Sequence, residues 1–265
     1  MDNRGSVLWV IGGTGEAVEL ATALVAEQIP CLVTVTTAIA QHAYKKSTYL
    51  KVLVGGLNVV SLGEFIRAQR IGAVLDVSHP FAVEISKGAI AAAQTLNLPY
   101  WRYERPAMEP VANGRIHYID NLHTVLTPEF LLEQRTLLTL GYRWLHYFAP
   151  WQTQTTLFAR ILPSPVALEA ALAAGFTPDR LIALRPPITA ELERALWQQW
   201  EITKVITKAS GAPGGEGIKC AVAEQLDISL FVLNRPQLDY PVVCRSQEEA
   251  LALSRGWWRS LPKHG

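Results

Sequence analysis

The sequence predicts an α/β protein of two domains, each a parallel sheet covered by helices. Three observations predict it. Short apolar runs alternate with segments of helical period up to residue 104. ERPAMEPVANGR, at 104–115, then breaks that rhythm with Pro, Asn and Gly. The alternation resumes near residue 136 and continues almost to the end. Repeated β-α-β pairs its strands in parallel and places helices on both faces, and 265 residues suffice for two modest cores. The expected class is α/β, two Rossmann-like domains with parallel sheets and a ligand cleft between them. The division falls at 1–125 for a cofactor domain and 126–265 for a substrate domain.

The elements follow in order. VLWVI (7–11) reads as a buried strand, and Ala17, Leu20, Ala21, Leu24 and Val25 then recur at helical spacing until near Gln28. CLVTVT (31–36) is a β-branched strand. KVLVGG (51–56) is a third strand, with a helix over 62–69 behind it. AVLDV (73–77) precedes a helix over 82–96, and YWRYE (100–104) closes the first series. RIHYID (115–120) reads as a strand leading out of the first domain.

In the second half, TLLTL (136–140), LFARIL (157–162), RLIAL (180–184), KVITK (204–208) and ISLFVL (228–233) read as strands. Helices over 165–174, 189–200 and 216–226 separate them. Thr189 with Glu191 and Glu193 suits a helix start, because acidic groups favour the first turn. SQEEALALSRGWW (246–258) is a final helix packed by Trp257 and Trp258.

Composition excludes several classes. Twenty-four Lys plus Arg against 23 Asp plus Glu leave no electrostatic case for nucleic acid or an anionic membrane surface. No apolar run reaches the ~18 residues of a membrane span, and MDNRGSVLWVIGG is no signal peptide. Cys31, Cys220 and Cys244 are widely spaced and form no CxxC or Cys/His cluster, so neither zinc nor a disulfide framework is expected. A cytoplasmic protein is the expectation.

Three strand ends carry the polar chemistry. In IGGTGEA (11–17), glycines let the chain turn and let backbone N–H groups approach a phosphate at a helix N-terminus. The spacing is not GxGxxG, because Ala17 and Val18 stand where a third, helix-packing glycine belongs. A plain β-α turn is the competing reading. The second strand ends in Val35-Thr36-Thr37, with no acidic residue between Cys31 and Glu64. A carboxylate there would hold an NAD ribose; its absence and two hydroxyls favour NADP.

Asp76-Val77-Ser78-His79-Pro80-Phe81 ends the fourth strand, and residues so close in sequence cannot form a hydrolase triad. Lining a nicotinamide or substrate pocket is the more economical role. Farther on, Thr207-Lys208-Ala209-Ser210-Gly211 follows a strand, and Gly214, Gly215 and Gly217 lead into a helix carrying Lys219. The segment is either a second anion cradle or a flexible glycine-rich loop, and without GK[ST] it is not a P-loop. Arg102, Arg105, Arg160, Arg185 and Arg235 lie at or near strand ends. Several arginines aimed at one cleft suit a substrate with many carboxylates.

Together GGTGEA (12–17), DVSHPFA (76–82), RYERP (102–106), TLG (139–141), TKASG (207–211), Lys219 and Asn234-Arg235-Pro236 resemble the precorrin-6A and cobalt-precorrin-6A reductases of cobalamin biosynthesis. The resemblance implies a cytoplasmic oxidoreductase that takes a small-molecule tetrapyrrole and a nicotinamide cofactor, usually NADPH, with NADH the alternative. One double bond of precorrin-6A is reduced to give precorrin-6B, with hydride reaching C19 and a proton C18. It implies cofactor contacts at Gly12, Gly13, Thr14, Gly15 and Glu16, with Thr36 and Thr37 near the ribose phosphate and Ser78 and His79 at the nicotinamide. Arg102, Arg105, Lys208, Ser210, Gly211 and Lys219 face the macrocycle, and His79 and Lys208 are the catalytic candidates, with solvent a third proton source. Two departures stand out: TTAIAQHAY lacks the arginine that family members often carry after the second strand, and SGAPGGEG is longer than the common pattern. A short-chain-dehydrogenase-like enzyme is disfavoured, since no tyrosine has a lysine four residues on. A non-catalytic NAD(P) sensor would carry a closed or apolar second-domain cleft without the arginines, and the polar strand ends disfavour it.

Overall fold

The computed structural model describes residues 6–109 and 114–262. The chain forms two compact units, one of residues up to Pro106 together with those from Pro236 onward, the other of Ala107–Arg235. In the first, β1 (Val7–Ile11), α1 (Gly15–Ala26), β2 (Cys31–Val35), α2 (Ala38–Gln41), β3 (Leu50–Val54), α3 (Leu62–Ala68), β4 (Ile71–Asp76), α4 (Val83–Thr95) and β5 (Tyr100–Tyr103) follow in sequence. In the second come β6 (Ile116–Ile119), α5 (Pro128–Leu131), β7 (Arg135–Leu138), β8 (Thr156–Ile161), α6 (Pro165–Ala173), β9 (Leu181–Ala183), α7 (Ala190–Gln199), β10 (Lys204–Lys208), α8 (Glu216–Leu226) and β11 (Ser229–Leu233). The chain then returns to the first unit with β12 (Val243–Cys244) and α9 (Gln247–Ser260).

Each unit holds a six-stranded parallel sheet, in the orders β12-β5-β4-β1-β2-β3 and β6-β11-β10-β7-β8-β9. The first runs in the doubly wound order 3-2-1-4-5-6; the second has the same central pattern, β9-β8-β7-β10-β11, but its edge strand beside β11 is β6, which precedes the others in the chain. Strand order reverses between β1 and β4 and between β7 and β10. The α/β class with parallel sheets is as expected.

The strand period of two explains the two-faced core. Leu8 and Val10 of β1 pack on one face with Leu20, Leu24, Trp257 and Trp258. Trp9 and Ile11 pack on the other with Leu62, Ile66 and Ala89. The Trp9 indole donates to Thr34 Oγ1 at 3.0 Å, so the one polar atom of that side chain is satisfied. In the second unit, Leu137, Phe158, Val205 and Leu230 pack with Trp197, Cys220 and Ala223.

The expected division at 125/126 is corrected in two places. RIHYID is not an exit strand of the first sheet, because β6 pairs with β11 along Leu230↔Ile116 to Leu233↔Ile119. The C-terminal segment does not complete the second unit, because β12 pairs with β5 and α9 buries both tryptophans in the first core. The reason is surface: one face of β1 and α1 is apolar with no local element to cover it, and α9 supplies the cover. A 3₁₀ segment over Tyr142–Trp151 was also not foreseen. Its buried Leu145 and Phe148 stand three apart, the 3₁₀ repeat, and not at helical spacing.

Candidate functional site

Ligands of doubly wound sheets bind beyond the carboxyl ends of the strands, where strand order reverses. In the first unit those ends are Gly12–Glu16 after β1 and Val77–Phe81 after β4. Gly13 sits at φ +108, a conformation that side chains resist. Thr14 is the N-cap of α1, accepting from Ala17 N–H at 3.2 Å while its hydroxyl donates to Val77 C=O at 2.8 Å. One hydroxyl thus ties the turn to the β4 exit. The N–H groups of Gly15 and Glu16, first in the helix, have no acceptor within it.

Space around the turn is asymmetric. A methyl group at Gly15 would meet nothing within 4 Å, whereas one at Gly12 would come within 2.8 Å of both Tyr44 Oη and Val33 Cγ1. The outer side is open space; the inner side is closed. Gly12→Ala is therefore expected to cost about 1–3 kcal/mol by overpacking. Gly15→Ala is expected to leave urea unfolding unchanged; paired unfolding of the two variants checks this. The Tyr44 hydroxyl is buried against this turn, and burial, opposed by the Gly13 backbone N–H, pushes its pKa up to about 12.

The β4 exit rests on a buried charge network. The Asp76 carboxylate accepts from Ser78 N–H at 2.9 Å, Ser86 Oγ at 2.6 Å, Tyr100 Oη at 2.6 Å and Arg102 at 3.0 Å. Arg102 also donates to Ser78 Oγ at 3.1 Å and to Glu104 at 2.9 Å, and lies over the Tyr240 ring. Asp76 and Arg102 are 0% and 1% exposed, so the guanidinium is enclosed by its own network. Beside it, a small depression is lined by Thr14, Glu16, Val77, Ser78, Pro80, Arg102, Tyr103 and Arg105. His79 is half-buried, and its Nδ1 accepts from Phe81 N–H at 3.2 Å. That bond puts the ring proton on Nε2. Thr36 and Thr37 are exposed, and Thr37 caps α2 by accepting from Ala40 N–H at 3.3 Å.

In the second unit the switch-point ends are Thr139–Gly141 after β7 and Lys208–Gly211 after β10. The Lys208 ammonium stands where a methyl at Gly141 would be 3.8 Å from it. Burial, then the Arg143 and Lys219 cations, push its pKa down to about 8. Lys219 is buried and donates to Gly214 C=O at 2.7 Å, and burial followed by the Arg160 charge lowers its pKa to about 8. Glu216 accepts from Gly211 N–H at 2.7 Å. The N–H groups of Gly214, Gly215 and Glu216 close back onto Gly211 and Ala212 carbonyls. Gly215, at φ +69, is the left-handed residue that lets α8 begin there. The cradle reading of this loop is thus corrected: its amides serve the loop itself, and Glu216 lies at the helix start. Ser210 is buried against Gly214.

The arginine reading divides. Arg160 pairs with Glu193, which is buried and also accepts from Trp197 Nε1 at 3.1 Å. Glu193 is thus an interior partner and not only a first-turn charge. Arg235 donates to Ala209 C=O at 3.0 Å, and Arg185 is exposed. Arg105 pairs with Glu16 at 3.1 Å, both largely buried. Residues missed from the sequence are Tyr44, Tyr100, Ser86, Glu193 and Arg143. No local pattern marks them, because each reaches its site from a separate element.

Two doubly wound sheets with polar residues gathered at their switch points define a two-unit Rossmann-like α/β protein. Residues 7–255 match the family of precorrin-6x reductase CbiJ/CobK, and the chain belongs to that family of oxidoreductases. It is 46% identical over 236 residues to the cobalt-precorrin-6A reductase of Synechocystis sp., covering 88% of this chain and 89% of that one. The corresponding protein of Priestia megaterium is 31% identical over 254 residues, covering 92% and 96%. A solved structure of CobK precorrin-6A reductase shares the fold at a TM-score of 0.78 with 23% identity, covering 98% of this chain and 100% of that chain. Among the described residues no helix is long and apolar enough to cross a membrane.

Proposed function

We propose that this chain reduces one double bond of precorrin-6A, or of its cobalt form, in cobalamin biosynthesis, using NADPH. The observation that carries the reading is the 46% identity to a cobalt-precorrin-6A reductase across most of both chains. The first unit is read as the cofactor unit and the second as the macrocycle unit.

The residues fit a dinucleotide. Gly13 to Glu16 would hold the pyrophosphate through backbone N–H groups, on the side where Gly15 leaves open space. Thr36 and Thr37 are both exposed, and the Thr37 hydroxyl, which caps α2 only as an acceptor, keeps its O–H to donate, so both hydroxyls can serve a 2′-phosphate. The reduced nicotinamide supplies the hydride when bound. The protein's part is to orient the partners, exclude water and deliver a proton.

His79 and Lys208 divide that work by chemistry. His79 accepts a backbone N–H at Nδ1, so becoming imidazolium would break that bond. It acts as an Nε2–H donor that orients the nicotinamide end, beside Ser78. Lys208, with a pKa near 8, is partly protonated at neutral to mildly alkaline pH and can give its proton without a large penalty. Ser210, Gly211 and Lys219 remain assigned to ligand charge or to the loop beneath it, while Arg105 is engaged by Glu16. Arg102 supports the β4 exit from inside.

The test is direct. Purified protein is incubated with precorrin-6A or its cobalt form and with NADPH or NADH, following cofactor oxidation and macrocycle absorbance. Oxidation coupled to a macrocycle change, faster with NADPH, is the expected result. No change in any of the combinations overturns the reading.

A further inference from the structure

The acidic residue of the glycine turn is in the wrong place for its proposed ligand. Glu16 lies in the first turn of α1, where a carboxylate favours the helix but repels a pyrophosphate brought to the same N-terminus. Arg105, just beyond β5, meets this carboxylate at 3.1 Å, with Glu16 15% and Arg105 10% exposed. Both line the depression that also holds Thr14 and Ser78. At such burial the charges are weakly screened, so the turn's charge depends on both partners. The Tyr44 hydroxyl on the inner side of the turn, held protonated by burial, brings no further charge.

We propose that Arg105 is a charge-neutralising residue of the cofactor site: it cancels Glu16 and so makes the α1 N-terminus receptive to a polyanionic dinucleotide. This rests on the cofactor reading above and changes the role of Arg105 from substrate ligand to partner of the glycine turn. Removing Arg105 exposes the pyrophosphate to an uncompensated carboxylate. Removing the carboxylate alone leaves an uncompensated cation beside the same phosphates. The two changes have opposite signs, which no purely structural role for the pair produces.

NADPH fluorescence titration of the intact protein measures this for wild type, R105Q, E16Q and the double variant, at low and moderate salt. R105Q is expected to weaken binding about tenfold, the effect of a partly buried charge at a helix end. E16Q is expected to tighten binding, and the double variant to return to within about threefold of wild type. All differences shrink as salt rises. A loss in R105Q that persists undiminished in the double variant overturns the proposal, because Arg105 would then act on the nucleotide itself or on the fold. Unchanged or weakened binding in E16Q overturns it too, and does so even if R105Q fails to fold. Wild type that binds neither NADPH nor NADP⁺ overturns the cofactor reading and this inference with it.

Discussion

Arg102→Met is expected to destabilise the first unit by about 3–5 kcal/mol, the usual consequence of removing one partner of a buried ion pair. The variant leaves the Asp76 carboxylate at 0% exposure with Ser78, Ser86 and Tyr100 as its remaining donors. Urea unfolding followed by tryptophan fluorescence reads the loss as an earlier transition. Asp76→Asn keeps the volume but strips the charge facing Arg102, and is expected to fall in the same direction. Arg102 came from the sequence as a macrocycle ligand, and a ligand residue behaves otherwise: its replacement spares unfolding and raises KM. An Arg102→Met protein that unfolds like wild type would show that the network does not bear on stability. Burial and the Asp76 charge also hold the Tyr100 phenol protonated well above its ordinary range, so the network keeps its proton through the working pH.

Lys208→Met is expected to lower kcat by about 10²–10⁴-fold, the range for removing a positioned general acid. The sign of the pH dependence follows from the depressed pKa. A proton donor works in its charged form, so the rate is full below about 8 and falls tenfold per unit above it. Without burial, the fall would begin near the ordinary lysine value of 10.5. Lys208→Arg separates two roles, since arginine keeps the charge for a carboxylate but stays protonated. Retained kcat in that variant assigns Lys208 to substrate binding, and the alkaline fall should then vanish. Loss of kcat with unchanged KM assigns it to proton delivery.

Much of the architecture was legible because each strand is an apolar run and each long helix carries its own period. VLWVI, KVITK and ISLFVL became β1, β10 and β11 almost unchanged. Thr14, Ser164, Thr189 and Ser246 cap helices as their residue types suggest. The polar strand ends proposed for the site were also legible as strand ends, since glycines and polar residues stand directly after apolar runs at 12–16, 76–79 and 207–211. The domain boundary was not legible. β6 and β12 are short strands that read alike, and nothing local says which sheet each will join. Their partners β11 and β5 lie far away in sequence.

The same limit governs the site. GGTGEA, DVSHPFA and RYERP sufficed to mark a family, because a motif is local and its residues are fixed by the turn each must form. Whether an arginine serves a ligand or a neighbour is not local. Arg102, Arg105 and Arg160 look alike at strand ends, yet Asp76, Glu16 and Glu193 claim them across the fold. The sequence by itself determined the α/β repeat, the glycine turn and the family. Only the tertiary structure decided which charges meet, because low-dielectric burial forces each ionised group to find its partner wherever folding places one.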